Sequence, residues 1–555
     1  MRLGPKKLLP LLGTLTLAAL LAGCAAPGAA TPGGGTKDVG APVDGGTLTF
    51  ATDREPRSLD SAAGQDQPQA LIARAYLDSL VRQESDGSFT PWLAKSWEIS
   101  PDDLTYTLHL RTDVHFTDGT PFNAAAVKAN VDYWLDPATA ASETSSAFEN
   151  FKSLETPDDS TVVITLSAPY ADFLSVLASS FAGIQSPAGI ARGIEGNAAA
   201  PIGSGPFKIE SWDKQSQVVL VRNKDYNWAP ATAAHQGPAH LDKIIWRFIS
   251  EPTTRFAALQ SGEVDAIETI PPESFQTATS SDNLTLIDGK RAGVPVQLDF
   301  NTKRAPFNDV SVRQAFRYAT DVEAGLKSVF FGAYQGFGGA LSPSTIFFDP
   351  AFEKTYTRNL DKANKLLDEA GWTTRDSAGY RTKDGKRLTA NVSMGFGTLP
   401  QEYFLLDQIQ GSVKEVGIDL QYEKLDDGQA AQRRADWDYD LTKDYWGGPN
   451  TAAALFFLYE STQNIPTAAG YHNNGTGYEN PELDAAINQA NLITDPAKRQ
   501  ALYSTAQKII SEQALAVPLY IQPLQYLYRN DRVAGVNTDP RSNQASFYDS
   551  WVLAR

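Results

Sequence analysis

The stretch PIGSGPFKIESWDKQSQVVLVRNKDYNW, Pro201–Trp228, contains a tight glycine turn, a strand, a polar break, a second strand and an aromatic exit. Gly203 and Gly205 precede a proline, which favours a sharp reversal because glycine tolerates φ values that other residues avoid. Residues 207–212 alternate loosely between apolar and polar side chains, and Val218–Val221 is a short apolar run, so both are expected to be strands. Taken alone, the pattern predicts an ordinary β-hairpin.

The chain begins with features of a secretory signal. Basic residues precede an apolar run, Leu8–Leu21, which is shorter than the about 20 residues of a membrane span and ends in small side chains. The following LAGC resembles a bacterial lipobox, which predicts removal of residues 1–23 and lipid attachment at Cys24, the only cysteine. The alternative is an ordinary secretory signal with a stray cysteine. Residues 24–43 are rich in Ala, Gly, Pro and Thr and predict a flexible tether.

The length, the net charge and the amino-acid composition argue against several classes of protein. A chain of 555 residues is too long for a single core and predicts at least two lobes. A net charge of −17 argues against a nucleic-acid partner, because phosphate neutralisation needs clustered Lys and Arg. With 21 Tyr, 26 Phe and 10 Trp against 2 Met and 1 Cys, the chain offers amphipathic aromatic surface and little redox chemistry. Without a second apolar stretch of membrane length, we expect a folded body held to a membrane only by lipid.

Local patterns predict strands and helices in alternation over most of the length. The expected strands are Gly46–Thr52, Leu104–Leu110, Thr161–Leu166, Lys243–Ile249 and Ala516–Ile521. The expected helices are Gln69–Leu80, Asn123–Trp134, Thr254–Ser261, Val310–Ala319 and Asp361–Ala370. Asn480 and Asp495 each stand before a proline and so predict two further helix starts. The fold class is therefore α/β or mixed.

Motifs of catalysis are missing from the sequence: there is no P-loop, dinucleotide fingerprint, nucleophile elbow or zinc-protease motif. Asp436, Asp438 and Asp440 imitate the opening of a calcium loop, but leucine stands where the sharp turn needs glycine, so we reject calcium there. A metal site would need several converging histidines, whereas the five present are scattered, at His109, His115, His235, His240 and His472. We therefore expect no enzyme, no metal and no cofactor.

One segment, Arg433–Gly448, gathers aromatic and positively charged residues. It could present indole and phenol faces to a ligand, with Arg434 and Lys443 available for a carboxylate in a partly dry cleft. The alternative interpretation is a core strand, in which Tyr439 and Tyr445 share one buried face while the charges point to water. Both hypotheses stay open on the sequence alone.

Several short stretches recur in a fixed order behind the lipobox. They are LAKSW (93–97), LHLR (108–111), FTDGTP (116–121), GSGPF (203–207), RNKDY (222–226), ALQSGEVD (258–265), NTK (301–303) with PF (306–307), VRQAF (312–316) and LLDEAG (366–371). Together, from about Gly45 to Val536, they resemble the extracytoplasmic solute-binding protein family 5, the peptide and nickel receptors of ABC importers. Each fragment alone is weak, and the shared order carries the resemblance.

The resemblance implies an α/β, two-lobed periplasmic-binding-protein-like fold, type II in its large cluster C form, with an extra subdomain inserted in the first lobe. Hinge motion would close its cleft around a ligand. The segments implied are 44–91, 201–298 and 523–555 for lobe I, 92–200 for the inserted subdomain and 299–522 for lobe II. Pro201–Trp228 then becomes the seam by which the chain returns from the subdomain into lobe I.

The function implied is that of a monomeric receptor, lipid-anchored on the extracytoplasmic face of a bacterial cell membrane. It would capture a peptide-like solute and deliver it to an ABC transporter permease and ATPase complex. The alternative ligands are a metal chelate or nickel complex and a small glycan, although scarce His and Met weigh against a bare metal. An enzyme, or a sensing or adhesion lipoprotein on the same fold, are further hypotheses.

The ligand-binding residues implied by position are Glu55, Arg57, Arg434, Lys443, Asp444, Tyr445, Trp446 and Asn450. Glu55 and Arg57 resemble a cleft-edge loop, and Trp446 falls on the family's cleft tryptophan. Peptide-binding members carry an aspartate after that tryptophan for the ligand's α-ammonium, whereas GGPN follows here, so Asp444 would have to substitute. A desolvated ammonium without a partner is costly, which favours a blocked peptide, an amide-rich metabolite, or a glycan stacked on Trp446 and Tyr445.

Overall fold

Two large mixed sheets and one antiparallel sheet organise this protein, whose computed structural model describes residues 40–395, 397–447, 453–467 and 470–553. Cys24, the signal peptide, most of the tether and Asn450 lie outside the described residues. In the described part of the chain, none of the helices combines the length and the apolar composition that a bilayer crossing requires.

The strands alternate with helices along the chain. They are β1 Thr47–Thr52, β2 Val81–Gln83, β3 Phe89–Pro91, β4 Ala94–Ile99, β5 Thr105–Leu110, β6 Phe151–Asp158, β7 Thr161–Leu166, β8 Phe207–Asp213, β9 Gln217–Arg222, β10 Lys243–Phe248, β11 Ala266–Glu268, β12 Leu284–Lys290, β13 Gly293–Phe300, β14 Thr374–Arg375, β15 Arg381–Lys383, β16 Lys386–Arg387, β17 Thr389–Ser393, β18 Asp419–Glu423, β19 Leu441–Gly447, β20 Ala516–Tyr520, β21 Pro523–Arg529, β22 Val533–Ala534, β23 Asn537–Thr538, β24 Ala545–Ser546 and β25 Trp551–Val552.

The α-helices lie between the strands along the chain. They are α1 Gln67–Ala73, α2 Ala124–Leu135, α3 Ser142–Ser146, α4 Phe173–Leu177, α5 Pro187–Ile190, α6 Gly193–Ala198, α7 Pro252–Ser261, α8 Phe275–Thr279, α9 Val310–Ala319, α10 Val322–Phe330, α11 Leu360–Glu369, α12 Pro400–Lys414, α13 Asp427–Ala435, α14 Ala454–Tyr459, α15 Pro481–Leu492 and α16 Pro496–Glu512.

A seven-stranded sheet forms the first lobe, in the order β12-β21-β11-β1-β10-β9-β8. β1 lies parallel to β10 and β11, whereas β9 and β21 run antiparallel to their neighbours. We call the part of the chain built on this sheet lobe I. Its strands come from three separate stretches of sequence, residues 47–52, 207–290 and 523–529. The chain therefore enters lobe I three times.

A five-stranded sheet in the order β18-β17-β19-β13-β20 forms the second lobe, which we call lobe II and which includes helices α9–α16. The antiparallel sheet β4-β5-β7-β6 lies between the first and second passages through lobe I and has its own core around Tyr106, Leu108 and Val162. The mixed sheets with helices confirm the predicted two-lobed α/β class. The residue boundaries inferred for the segments stay predictions.

Capping signals place most helix ends where the sequence predicts them. α9 begins after Asp309, whose carboxylate accepts from the backbone N–H of Ser311, and ends at Ala319, as expected. Asn480 and Asp495 cap α15 and α16 ahead of their prolines, which confirms those two predictions. α7 ends at Ser261, and the next residue, Gly262, has a φ of +80°, which suits a glycine.

The expected helix Gln69–Leu80 is wrong in extent, because α1 ends at Ala73. The residues that follow do not continue the helix and instead form backbone hydrogen bonds with the seam. The carbonyl of Ala75 accepts from the N–H of Phe207 at 3.0 Å, and that of Tyr76 accepts from the N–H of Gly205 at 3.1 Å. Hydrogen bonds to a distant part of the chain thus replace those of further helical turns.

The seam glycines serve close packing and not an unusual backbone conformation. Neither Gly203 nor Gly205 has a positive φ, so the expected need for permissive φ values is wrong. A Cβ on Gly205 would lie 2.5 Å from the carbonyl carbon of Tyr76, and one on Gly203 would overlap the carbonyl oxygen of the same residue. The seam requires glycine because the backbone around Tyr76 packs directly against it.

Candidate ligand-binding site

A cavity of about 420 Å³ lies between lobe I and lobe II. Its lobe I wall comes from the end of β1, from α1, from β10 and from the end of β11, at Thr52, Asp53, Arg54, Gln67, Pro68, Leu71, Trp246, Glu268 and Thr269. Tyr334, Gly397, Leu399, Tyr445 and Tyr520 line it from lobe II. Arg291 and Gln522 lie where the chain crosses between the two sheets, and Pro523 and Leu524 begin β21. A volume of this size is in the range of small-molecule sites.

Arg291 occupies the crossover between β12 and β13 and lines this cavity. Its guanidinium donates to the side-chain oxygens of Gln522, at 2.7 Å, and of Gln67. Both partners are neutral amides, so the positive charge has no ion pair among the described residues. Burial lowers the pKa of Arg291, and the nearby Tyr445 and Glu268 oppose that shift.

Glu268 is the last residue of β11 and points a carboxyl group into the same cavity. Its pKa is raised to about 7, mainly by burial and then by the carboxylate of Asp53, while the guanidinium groups of Arg255, Arg54 and Arg291 act in the opposite sense. Among these cations, Arg255 donates its Nε to the backbone oxygen of Glu268 and not to the carboxyl group. The side chain is therefore poised between its neutral and charged forms near neutral pH.

Lys443 is held in an ion pair behind the lobe II wall. Its Nζ lies 2.7 Å from Oε2 of Glu402, and the two side chains are 3% and 1% exposed. The other carboxylate oxygen accepts from the hydroxyl of Tyr520 at 2.7 Å, and the backbone N–H of Leu399 donates to Oε2. Lys443 does not line the cavity, but its partners Leu399 and Tyr520 do.

The guanidinium of Arg434 also finds its partners within lobe II. Its Nη2 lies 2.5 Å from Oδ2 of Asp444, and it donates further to the backbone oxygens of His472 and Asn473. Burial raises the pKa of the adjacent Asp299 well above its ordinary range, and Asp444 adds to that shift. An ammonium group bound at Asp444 would have to compete with Arg434.

The remaining residues implied by the resemblance are spread more widely. Tyr445 lines the cavity, while Trp446 is 38% exposed and stacks on Phe457 with ring centroids 4.5 Å apart. Glu55 accepts from the indole N–H of Trp212 at 2.8 Å, which ties it to the seam. The side chain of Arg57 is 80% exposed and lies at the edge, 3.9 Å from Asp66. Their roles in binding stay predictions.

Sequence reasoning missed Arg291, Glu268 and Gln67. Glu268 had a usable signal, because it ends a short apolar strand, and polar residues at the carboxyl ends of strands face the crevice in open α/β sheets. Arg291 and Gln67 had no such signal. They are more than two hundred residues apart in sequence and come into contact only in the folded chain.

The histidines do not converge on a metal site in the described residues. His109 lies 3.7 Å from Glu98 on a neighbouring strand, and the rings of His235 and His240 stack with centroids 4.4 Å apart. Among the described ranges, no three side chains of His, Cys, Asp or Glu are grouped so as to hold a metal ion.

Comparison with known proteins identifies the family. Residues 88–466 match the model for bacterial extracellular solute-binding proteins, family 5. The chain belongs to this family. It is 30% identical over 474 residues to the glutathione-binding protein GsiB of Escherichia coli O1:K1, which covers 84% of this chain and 87% of that protein. As a member of family 5, it is an extracytoplasmic solute-binding protein of ABC importers, and its relatives are receptors rather than enzymes.

Solved structures of family 5 share the fold. DppA of Helicobacter pylori in complex with the peptide STSA is 25% identical, with a TM-score of 0.70 over 92% of this chain and 99% of that one. NikA of Brucella suis in complex with Fe(III)-EDTA is 26% identical, with a TM-score of 0.79 over 91% of this chain and all of the other. The two-lobed architecture is therefore that of family 5.

Proposed function

We propose that this chain is a lipid-anchored receptor that captures a small peptide-like solute between its lobes and passes it to an ABC permease and ATPase complex. The cavity of about 420 Å³, lined from both lobes, carries the proposal. Its walls offer amide groups at Gln67 and Gln522, phenol groups at Tyr334 and Tyr445, and charges of both signs. Such a lining suits an amide backbone with charged ends.

The names of the relatives support the same ligand class. GsiB is named for glutathione, a peptide, and the DppA structure holds the peptide STSA. The Fe(III)-EDTA in NikA is a polycarboxylate chelate, so an anionic chelate is the competing ligand. We favour the peptide because the cavity carries an acidic group, Glu268, beside its arginines.

The test is identification of the ligand. The protein is purified gently from its native host and the solute it carries is identified by mass spectrometry. Thermal shifts are then measured with reduced glutathione, a dipeptide and tripeptide mixture, oligosaccharides, and nickel with histidine. A peptide at about 100 times its Kd should stabilise the protein by roughly 2.7 kcal/mol. Stabilisation by oligosaccharides or by the nickel complex, with none by any peptide, would refute the peptide proposal.

The lipid anchor is tested separately, because Cys24 lies outside the described residues. Wild type and Cys24→Ser are expressed in cells fed a radiolabelled fatty acid. We expect label and membrane association in the wild type only. A wild type that carries no label and is released from the membrane like the variant would show that an ordinary signal, and not a lipobox, directs export.

A further inference from the structure

Asp299 and Asp444 are two buried acids on one face of the lobe II sheet. β13 and β19 are antiparallel neighbours, in which Gln297 stands opposite Asp444 and Asp299 stands opposite Thr442. Side chains two residues apart in a strand point to the same side, so Asp299 and Asp444 are diagonal neighbours on that face. Asp299 is completely buried, and the side chain of Asp444 is 12% exposed.

A single guanidinium serves these two acids. Nη2 of Arg434 pairs with Oδ2 of Asp444, and the backbone N–H of Tyr445 donates to Oδ1 of the same carboxylate at 2.9 Å. In the described part of the chain, Arg434 forms no second ion pair with Asp299. One positive charge already balances the negative charge of Asp444. A second negative charge at Asp299 would be buried without a partner, which is costly.

Only one oxygen of Asp299 accepts a hydrogen bond from the described residues. Oδ1 accepts from Nε2 of Gln297 at 2.6 Å, whereas Oδ2 is buried with no such partner. A Cβ on Gly475 would lie 3.2 Å from this Oδ2 and 3.2 Å from Nη2 of Arg434, so the oxygen lies beside the Arg434–Asp444 pair. A proton on Oδ2 would make it a donor to the carboxylate of Asp444. Burial, and then Asp444, raise the pKa of Asp299 well above its ordinary range, as a neutral acid requires.

We propose that Asp299 is a positioning residue, which stays protonated at neutral pH and donates a hydrogen bond to the carboxylate of Asp444. This bond ties β13 to β19 at the residue before Tyr445, which lines the cavity between the lobes. Asp444 then receives donors from Arg434, Tyr445 and Asp299 and serves the lobe II wall rather than the ligand. The inference rests on the proposed function only where it concerns ligand affinity.

A rise in pH should release this proton. The ionisable groups that act on Asp299, or on which it acts, are Asp444, Arg434, Tyr439 and Tyr459. Loss of the proton would place two carboxylates beside one guanidinium, so β19 should loosen around Tyr445. Asp299→Asn keeps a donor for Asp444 and an acceptor for Gln297 but has no proton to lose. This variant should therefore hold β19 at every pH.

Infrared spectroscopy of the ligand-free protein tests the protonation. At pH 8, the spectrum of wild type minus that of Asp299→Asn should contain the C=O stretch of one neutral carboxyl group. Asp444→Asn should lack this band, because Asp299 would ionise beside the unpaired Arg434. The matched control is Asp419→Asn, at a buried lobe II acid that pairs directly with Arg387 at 2.9 Å, and it should keep the band. A difference spectrum without the band would overturn the proposal.

Hydrogen exchange tests the positioning role. After correction for the intrinsic rate, the protection of residues 441–447 in wild type should fall by about tenfold or more between pH 8 and pH 10. Asp299→Asn should keep its protection, whereas Asp299→Leu should have lost it at pH 8. Circular dichroism confirms that each variant is folded. Equal protection in the Asn and Leu variants would show that no donor is needed and would overturn the proposal.

Reduced glutathione, titrated by calorimetry at pH 7, connects the result to binding. Asp299→Asn should keep the wild-type affinity, and Asp299→Leu should weaken it by about tenfold. A weakening by the Asn variant equal to that by the Leu variant would contradict the positioning role. If no peptide binds the wild type while the infrared band and the exchange pattern appear as expected, the proposed function fails and the assignment of Asp299 stands.

Discussion

Nη2 of Arg499 lies 2.8 Å from Oδ1 of Asp172, and both side chains are almost completely buried. The pair joins α16 of lobe II to the residue before α4, in the region of the inserted antiparallel sheet. The N–H of Ala171 donates to the carbonyl of Asn491 beside it, at 3.0 Å. Lobe II is thus fastened to the inserted region at a point separate from the crossovers.

Breaking this pair should destabilise the protein strongly. Asp172→Asn leaves Arg499 buried without its counter-charge, and we expect a loss of about 3 to 5 kcal/mol in the free energy of unfolding, measured with urea. The double variant with Arg499→Met should recover most of that loss, since removing both charges is often neutral. As a control, Lys128→Met breaks an exposed pair with Asp132 and should cost less than about 0.5 kcal/mol. A loss below about 1 kcal/mol for Asp172→Asn would contradict the conclusion that Arg499 depends on Asp172 for its counter-charge.

Gly205→Val should harm folding more than ligand preference. The new side chain would collide with the backbone of Tyr76. Because backbone atoms cannot move aside as a flexible side chain can, this clash would not be relieved. The control is Gly411→Ala in α12, where a Cβ meets nothing and alanine should stabilise by roughly 0.5 to 1 kcal/mol. Thermal unfolding and the peptide panel together check this, and a stable Gly205→Val protein with altered ligand preference would be the opposing result.

Lys443→Met should cost about 3 to 5 kcal/mol of stability, because Glu402 would remain buried without its cation. Denaturant unfolding measures this, with the exposed Lys508→Met as the control. The double variant with Glu402→Gln separates a structural role from ligand contact. If Lys443 only supports the wall, the double variant regains both stability and peptide affinity. Recovery of stability without recovery of affinity would instead support the direct contact implied by the family resemblance.

Glu268 should make the stability of the ligand-free protein depend on pH. Its pKa of about 7 in the folded state exceeds the ordinary value of 4.5, so the folded protein holds this proton more tightly than the unfolded chain. Its contribution to stability therefore falls as pH rises between these two values and is constant above them.

Comparison with Glu268→Gln isolates this effect from the titration of other groups. The charges that act on Glu268 are those of Asp53 and of the arginines at 54, 255 and 291. The Tm of the variant relative to wild type should be higher at pH 8 than at pH 5. A difference in Tm that does not change with pH would show that Glu268 titrates at its ordinary value when the cavity holds no ligand.

Much of the local structure was predictable because its causes lie within a few residues. Asp309 and the apolar spacing after it define α9, and Thr161–Leu166 alternates as a strand with one buried face. α1 was not predictable in length, because the hydrogen bonds that end it come from Gly205 and Phe207, far along the chain.

The candidate site, too, was predictable in part. The order of short motifs was enough to assign the family and its two-lobed fold. Tyr445, one of the residues implied by the resemblance, lines the cavity, and its role in binding stays a prediction. The charges were not predictable, because whether a charge serves the ligand depends on what it meets in three dimensions. Arg434 and Lys443 meet acids inside lobe II.

The sequence by itself determined many of the helices and strands, the family and the likeness of the N-terminus to a lipobox, because caps, periodicity and motifs act over short distances. Only the tertiary structure decided why the seam needs glycine, and which charges face the cavity. Both depend on backbone and side chains brought together from remote parts of the chain: Tyr76 against Gly205, and Arg291 between Gln67 and Gln522. Electrostatic pairing and close packing act through space, so they become visible only once the chain is folded.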